Sequence, residues 1–257
     1  VQHDPQSLKA RFLARDPLTP GGEAERVAYK TTPGVSPTII WCGGLMSDMD
    51  GTKAIALHDW AAKEGLAFLR FDYFGHGAST GAFTDGTISR WAEDTLAVID
   101  HLTTGPLILV GSSMGGWVSL LSARARDRVK ALLLINPAPD FTEDVFKSFT
   151  PEQQRGIQRD GIVHVPSDYG EPYPYAWALI EDGRANLLLT ADLDLSIPVH
   201  IFSGDADTVV PTAHCQRLTD ALPNATLTVV EGGDHSLSRP EDIAALKKAL
   251  ENLSHDV

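Results

Sequence analysis

The sequence predicts an α/β fold: a mostly parallel sheet flanked by helices, carrying a helical insertion near the sheet's strand ends. Two observations carry this expectation. Short apolar runs alternate with longer amphipathic segments along most of the 257 residues. A single stretch, 139–195, breaks that rhythm and shows no clear strand pattern. The length fits one domain with an insertion, and nothing resembles a linker between two domains.

In chain order, residues 24–32 read as an early strand, followed by Thr38–Trp41, Ala67–Phe71, Leu107–Val110, Ala131–Ile135, Val199–Phe202 and Leu227–Val230. Runs this short, β-rich and bounded by Gly or Pro suit strands buried on both faces of a parallel sheet. Helical patterns fall between them at Thr52–Glu64, Thr87–Leu102, Gly115–Arg126, Thr212–Ala221 and Pro240–Leu253. The Thr87–Leu102 segment places Ile88, Trp91, Thr95, Val98, Ile99 and Leu102 on one face. Strand–helix alternation implies βαβ units with right-handed crossovers. Within 139–195, helical patterns are expected at Glu143–Arg159 and Tyr175–Leu189. An aromatic, Pro-rich patch joins Tyr169, Tyr173, Tyr175 and Trp177. The stretch reads as a lid.

Composition excludes several function classes. The composition is 43% hydrophobic and 21% charged, which suits a globular chain. Acidic residues outnumber basic ones 34 to 21, for a net charge of −13. Nucleic-acid binding draws on phosphate contacts from a basic surface, and no Lys/Arg cluster exists to make them. Two cysteines, Cys42 and Cys215, cannot form a disulfide framework. No apolar run approaches the ~18 residues that would suggest a membrane span. Val1 to Pro5 has no apolar signal core, so a cytoplasmic setting is the expectation. There is no P-loop, no dinucleotide fingerprint and no H-E-x-x-H pair, so neither a metal nor a cofactor is expected.

The motifs point to nucleophilic catalysis. G-x-S-x-G occurs twice, at Gly111–Gly115 and Gly77–Gly81. A nucleophile elbow needs a buried strand directly before it and a helix directly after it. Leu107–Val110 and the helical run from Gly115 supply both for Ser113. Ser79 sits in a Gly-rich loop several residues past its strand and lacks this context. Ser112, at the x position, reads as a packing residue.

A serine hydroxyl needs a base, and histidine titrates in the right range. In strand–elbow–helix hydrolases the chain order is Ser, acid, His. His235, in the Gly-rich loop after the last strand, fits that order. His76, His200 and His214 sit in a turn, a strand and a helix start. For the acid, Asp205 and Asp207 both follow the penultimate strand, and Asp140 follows the Ala131–Ile135 strand. The spacing G-x-x-D-x-[VI]-x-P, met by Gly204 through Pro211, selects Asp207. Backbone N–H groups of Met114 and Leu45 are the expected oxyanion donors. Leu45 lies in the loop after Thr38–Trp41.

With these residues in order, the chain resembles the α/β-hydrolase superfamily over nearly its whole length. Within it, the chain is most similar to the mycophenolic-acid acyl-glucuronide esterase group, also described as acyl-protein thioesterases. Leu45–Lys53, Arg70–Tyr73 and Gly111–Trp117 carry this likeness. One departure is Gly43-Gly44, where the superfamily commonly has His-Gly. The resemblance implies cleavage of acyl thioesters, S-acylated protein cysteines, acyl glucuronides or simple esters. Two other readings stay open: another triad reaction such as C–C bond hydrolysis, and a non-catalytic small-molecule receptor with an idle triad.

Overall fold

The computed structural model describes residues 8–15, 24–167, 170–190, 193–255 and 257. Strands β1 (Arg11–Arg15), β2 (Glu25–Thr32), β3 (Val35–Cys42), β4 (Leu66–Phe71), β5 (Leu107–Ser112), β6 (Val129–Ile135), β9 (Val199–Gly204) and β10 (Ala225–Val230) form one sheet. Its order is β1-β2-β4-β3-β5-β6-β9-β10. From β4 to β10 every pairing is parallel; β1 and β2 are antiparallel additions at one edge.

The apolar runs became central strands because both of their faces are covered. In β5, Leu107 and Leu109 join one core cluster while Ile108 and Val110 join the other. In β6, Leu132 and Leu134 divide the same way from Leu133 and Ile135. Helices α2 (Ile88–Leu102) and α3 (Met114–Ala125) supply Trp91, Val98, Ile99, Trp117 and Leu120 to the first cluster. Helices α1 (Thr52–Lys63) and α8 (Pro240–His255) close the second with Leu57, Leu246 and Leu250. Helix α7 (Thr212–Asp220) lies between β9 and β10 in sequence and buries Cys215 and Leu218.

Register places the functional loops together. Cys42 pairs with Gly111, Ser112 with Ile135, Ile135 with Phe202, and Gly204 with Val230. The parallel strands therefore end along one edge, where open α/β sheets build their sites.

The segment between β6 and β9 departs from the expected helical insertion. It contains α4 (Phe141–Ser148), α5 (Pro151–Asp160), a β7–β8 hairpin (Ile162–Ser167 and Gly170–Ala176) and α6 (Trp177–Ala185). The single helix expected over Glu143–Arg159 is broken at Thr150-Pro151. Thr150 caps α5 in a reciprocal box with Gln153, and Pro151 takes the position where its missing N–H costs nothing. The helix expected from Tyr175 starts at Trp177, because Tyr175 pairs with Val163 in the hairpin. Pro166, Pro172 and Pro174 obscured that hairpin in the sequence. A two-stranded ribbon has only edge strands, and edges tolerate proline. Phe149, Ile157 and Ile180 give the segment a small core of its own. Tyr169 lies outside the described residues.

Candidate active site

The site begins with a strained turn. Ser113 separates β5 from α3 with φ 54° and ψ −120°. An L-residue is held there only by its surroundings. The Ser113 N–H donates to the Ile135 carbonyl at 2.9 Å, and its own carbonyl accepts from Gly116 (2.9 Å) and Ala138 (3.0 Å). The flanking glycines of the motif have steric reasons. A Cβ at Gly115 would lie 2.1 Å from the Cys42 carbonyl oxygen, and one at Gly111 2.5 Å from the Gly115 oxygen.

The loop after β10 brings His235 to this turn. Its Nε2 lies 3.1 Å from Ser113 Oγ and its Nδ1 2.7 Å from Asp207 Oδ2. Asp207, from the loop after β9, is fully buried at its side chain. Its Oδ1 accepts from the N–H groups of Val209 (2.7 Å) and Val210 (2.9 Å). A carboxylate accepts, so the His235 Nδ1–H donates this bond and Nε2 is the ring atom that faces Ser113 Oγ.

The loop after β3 completes the arrangement. Gly44 packs against the Ser113 side chain, and its carbonyl accepts from Ser47 Oγ at 2.8 Å. The Leu45 and Met114 N–H groups have no hydrogen-bond acceptor among the described residues. A cavity of about 660 Å³ opens over Ser113 and His235. Phe141, Val145, Pro166, Tyr173 and Tyr175 of the insertion give it an apolar wall. Thr52, Lys53, Ser236 and Ser238 give it a polar one. The Lys53 ammonium donates to the Ser236 carbonyl, and burial pulls its pKa down to about 8.

Residues 41–246 match the model of the alpha/beta hydrolase family. The chain belongs to that family. Human palmitoyl-protein thioesterase ABHD10, mitochondrial, is 33% identical over 253 residues, spanning 96% of this chain and 81% of the relative. The mouse alpha/beta hydrolase domain-containing protein 10 structure superposes with a TM-score of 0.87 at 32% identity, covering 95% and 98% of the two chains. A chain from Agrobacterium vitis S4, known from a crystal structure, reaches a TM-score of 0.90 at 41% identity, over 96% and 99%. The mitochondrial relatives lend no support to a cytoplasmic setting. No described helix is long and apolar enough to cross a membrane.

In this alpha/beta hydrolase the other sequence candidates have contacts of their own. Ser79 Oγ donates to the Asp72 carbonyl (2.6 Å) and accepts from the Ala28 N–H (2.8 Å), stitching its loop to β2. Asp205 accepts the Gly232 N–H at 2.6 Å. Asp140 accepts the Leu188 and Leu189 N–H groups, both at 2.8 Å, and so ties the end of the insertion to its beginning. Ser112 is buried within β5. His200 pairs with Thr228. His214 lines the cavity, with its proton affinity lowered chiefly by burial. Among the described residues, no group of three or more His, Cys, Asp or Glu could hold a metal ion.

Sequence reasoning missed two features of the site. Asn136, directly after β6, is fully buried. Its Nδ2 donates to the carbonyls of Asp234 (3.0 Å) and His235 (2.9 Å), and its Oδ1 accepts the Gly204 N–H (2.9 Å). One side chain thus joins the His235 loop to β9. The second feature is the set of tethers on the loop after β3. Arg70 donates to the Met49 carbonyl (3.0 Å) and pairs with Asp50 (2.8 Å). Asp72 accepts from Met49 (2.6 Å) and Ala78 (2.8 Å), and burial pushes its pKa up to about 6. The Arg70–Tyr73 run was legible as a family mark but not as this clamp.

Proposed function

We propose that this protein is a serine hydrolase that cleaves carboxylic esters or acyl thioesters through an acyl-enzyme. The observation that carries the reading is the hydrogen-bonded chain Asp207–His235–Ser113, ending at the cavity floor. Ser113 is the nucleophile, His235 the general base and Asp207 the acid that fixes the imidazole tautomer. As Ser113 Oγ bonds to the acyl carbon, its proton passes to His235 Nε2. The Leu45 and Met114 N–H groups receive the developing oxyanion. Collapse breaks the bond to the thiolate or alkoxide, which leaves with the proton from His235. Water then attacks the acyl-enzyme, giving His235 a proton, and the carboxylic acid departs as Ser113 recovers its own.

The apolar wall suits the acyl chain, and the insertion around 139–195 serves as its lid on a single hydrolase domain. Most specific small-molecule sites pair such a wall with a few polar groups. The named activity of the ABHD10 relatives, removal of palmitoyl groups from protein, makes thioesters and S-acylated protein cysteines the first substrates to try. The test is turnover of a chain-length ladder of p-nitrophenyl esters and matching acyl thioesters, with Ser113→Ala as control. Active-site labelling by a fluorophosphonate runs alongside. Turnover and labelling that vanish in the variant support the reading; a wild-type protein that neither labels nor turns over any substrate overturns it.

A further inference from the structure

His76 plays no part in the proton transfers above, yet it touches the oxyanion loop. It lies in the β4–α2 connection and is almost wholly buried. Its Nδ1 lies 3.0 Å from the Phe74 carbonyl, and its Nε2 lies 3.1 Å from the Met46 backbone nitrogen. These partners leave one assignment. A carbonyl can only accept, so Nδ1 carries the proton. A backbone N–H can only donate, so Nε2 is bare. His76 is neutral and in the Nδ1–H form.

The group it holds adjoins the proposed oxyanion donor. Met46 directly follows Leu45 and has φ 56°, a conformation uncommon for a side chain of its size. Ser47 closes the turn over Leu45 and Met46 onto the Gly44 carbonyl, and Arg70 and Asp72 hold the loop further on at Met49, so the His76 bond is the one that ties the turn itself to another part of the fold. His76 is itself rigid. Its ring meets Trp91, Phe83 and Tyr73 edge-on, at 5.2, 5.4 and 5.7 Å between centroids. The Phe74 peptide that orients it is clamped from α2: Asp94 accepts its N–H at 2.8 Å, and Trp91 Nε1 donates to its carbonyl at 3.1 Å. The oxyanion loop is thereby fastened to α2 through one imidazole. The loop has Gly43-Gly44 rather than an internal His-Gly, so the fixing imidazole arrives from a different connection.

We infer that His76 is a positioning residue for the oxyanion hole, setting the Leu45 N–H through the Met46 backbone. The inference rests on the serine-hydrolase reading. Burial lowers its proton affinity, which favours the neutral form that the two hydrogen bonds require.

The experiment compares wild type, His76→Leu and His76→Gln, with Ser113→Ala as the control on the underlying reading. Leu removes the acceptor; the Gln amide oxygen reaches roughly where Nε2 sits. Displacement of a catalytic group by about 1 Å can cost ~10²-fold, so His76→Leu is expected to lose about 10- to 100-fold in kcat with KM little changed. Its affinity for a trifluoromethyl ketone, which forms an oxyanion on Ser113, should fall in parallel, while affinity for the product carboxylate holds. Gln should restore most of the loss. An inactive wild type indicts the hydrolase reading instead. An active wild type with undiminished kcat in folded His76→Leu, or equal losses for ketone and product, overturns this inference. Should the Leu variant fail to fold, ¹⁵N spectra of histidine-labelled wild type decide: an Nδ1–H tautomer at His76 is expected, and an Nε2–H tautomer or an imidazolium at the pH of activity overturns the proposal.

Discussion

Replacing Asp207 by Asn removes one charge and almost no volume, and the structure dictates which way the new amide turns. Oδ1 accepts two backbone N–H groups, from Val209 and Val210, and Oδ2 faces His235 Nδ1. The amide oxygen must take the Oδ1 position. Turned the other way, the NH₂ group would confront two donors and leave both unpaired, at a cost of about 1–3 kcal/mol each. In the favoured orientation the NH₂ points at Nδ1, which must then accept. The imidazole proton moves to Nε2, and Nε2 faces Ser113 as a donor with no lone pair for the serine proton. Recovering the active tautomer requires the amide flip, about 2–6 kcal/mol in all. The imidazolium formed during attack also loses its counter-charge.

Together these effects place the loss in kcat on the order of 10⁴, about 5.5 kcal/mol at 1.36 kcal/mol per decade. The assay is steady-state hydrolysis of a p-nitrophenyl ester by Asp207→Asn, with thermal melting to show that the fold persists. Asp205→Asn is the matched control, since the Asp205 side chain accepts the Gly232 N–H and, among the described residues, does not touch His235. A folded Asp207→Asn that keeps kcat within about tenfold, or an Asp205→Asn that falls as far, would refute this tautomer argument.

Asn136→Leu strands two carbonyls and one N–H in the interior, so stability should drop by about 3 kcal/mol or more, with kcat falling as the His235 loop loosens; denaturant unfolding and steady-state kinetics read the two effects. His58 is buried, shares a 2.7 Å hydrogen bond with Thr32, and has its pKa lowered to about 3 by burial and then by Arg70 and Lys30. The unfolded chain takes up a proton there below pH ~6.5 while the folded chain does not, so stability contributed by neutral His58 is lost as pH falls. Between pH 7 and 5 that loss is about 2 kcal/mol, and the pH dependence of unfolding should flatten in His58→Gln. Phe141→Ala opens the apolar wall beside Trp117, and the ratio of kcat/KM for long over short acyl esters should rise about tenfold on the chain-length ladder.

What could be read from the sequence follows how local each signal is. Central strands such as Leu107–Val110 were plain because burial on both faces leaves no polar interruption. The convergence of Ser113, Asp207 and His235 was legible because each follows a strand that ends on the same edge, so chain order translates into proximity. The two G-x-S-x-G matches were separable by the strand and helix around them, not by their letters. Strand β1 was missed, as a five-residue edge strand with Phe-Leu-Ala between two arginines carries little pattern. Asn136 was illegible for another reason. Its side-chain hydrogen-bond partners lie 68 to 99 positions away, and an Asn after a strand reads locally as a turn residue. His76 was dismissed because it precedes the serine; its role depends on Met46, thirty positions earlier.

The tethers explain how one scaffold can hold fixed chemistry beneath a variable substrate wall. Every group in the proposed proton path is secured at the sheet edge: Ser113 by Ile135, Gly116 and Ala138, Asp207 by Val209 and Val210, His235 by Asn136. None of those anchors belongs to the segment from α4 to α6. That segment instead has its own small core, and Asp140 pins its far end at Leu188 and Leu189 back to its entrance. Trp117 adds a hydrogen bond to the Asn186 carbonyl at 3.0 Å, again at the segment's root rather than its body. Substitutions at the cavity-lining positions of the hairpin or α4 can therefore reshape the apolar wall without moving Ser113, His235 or Asp207. Under the proposed function, selection among acyl substrates is separable, on this architecture, from the ability to cleave them.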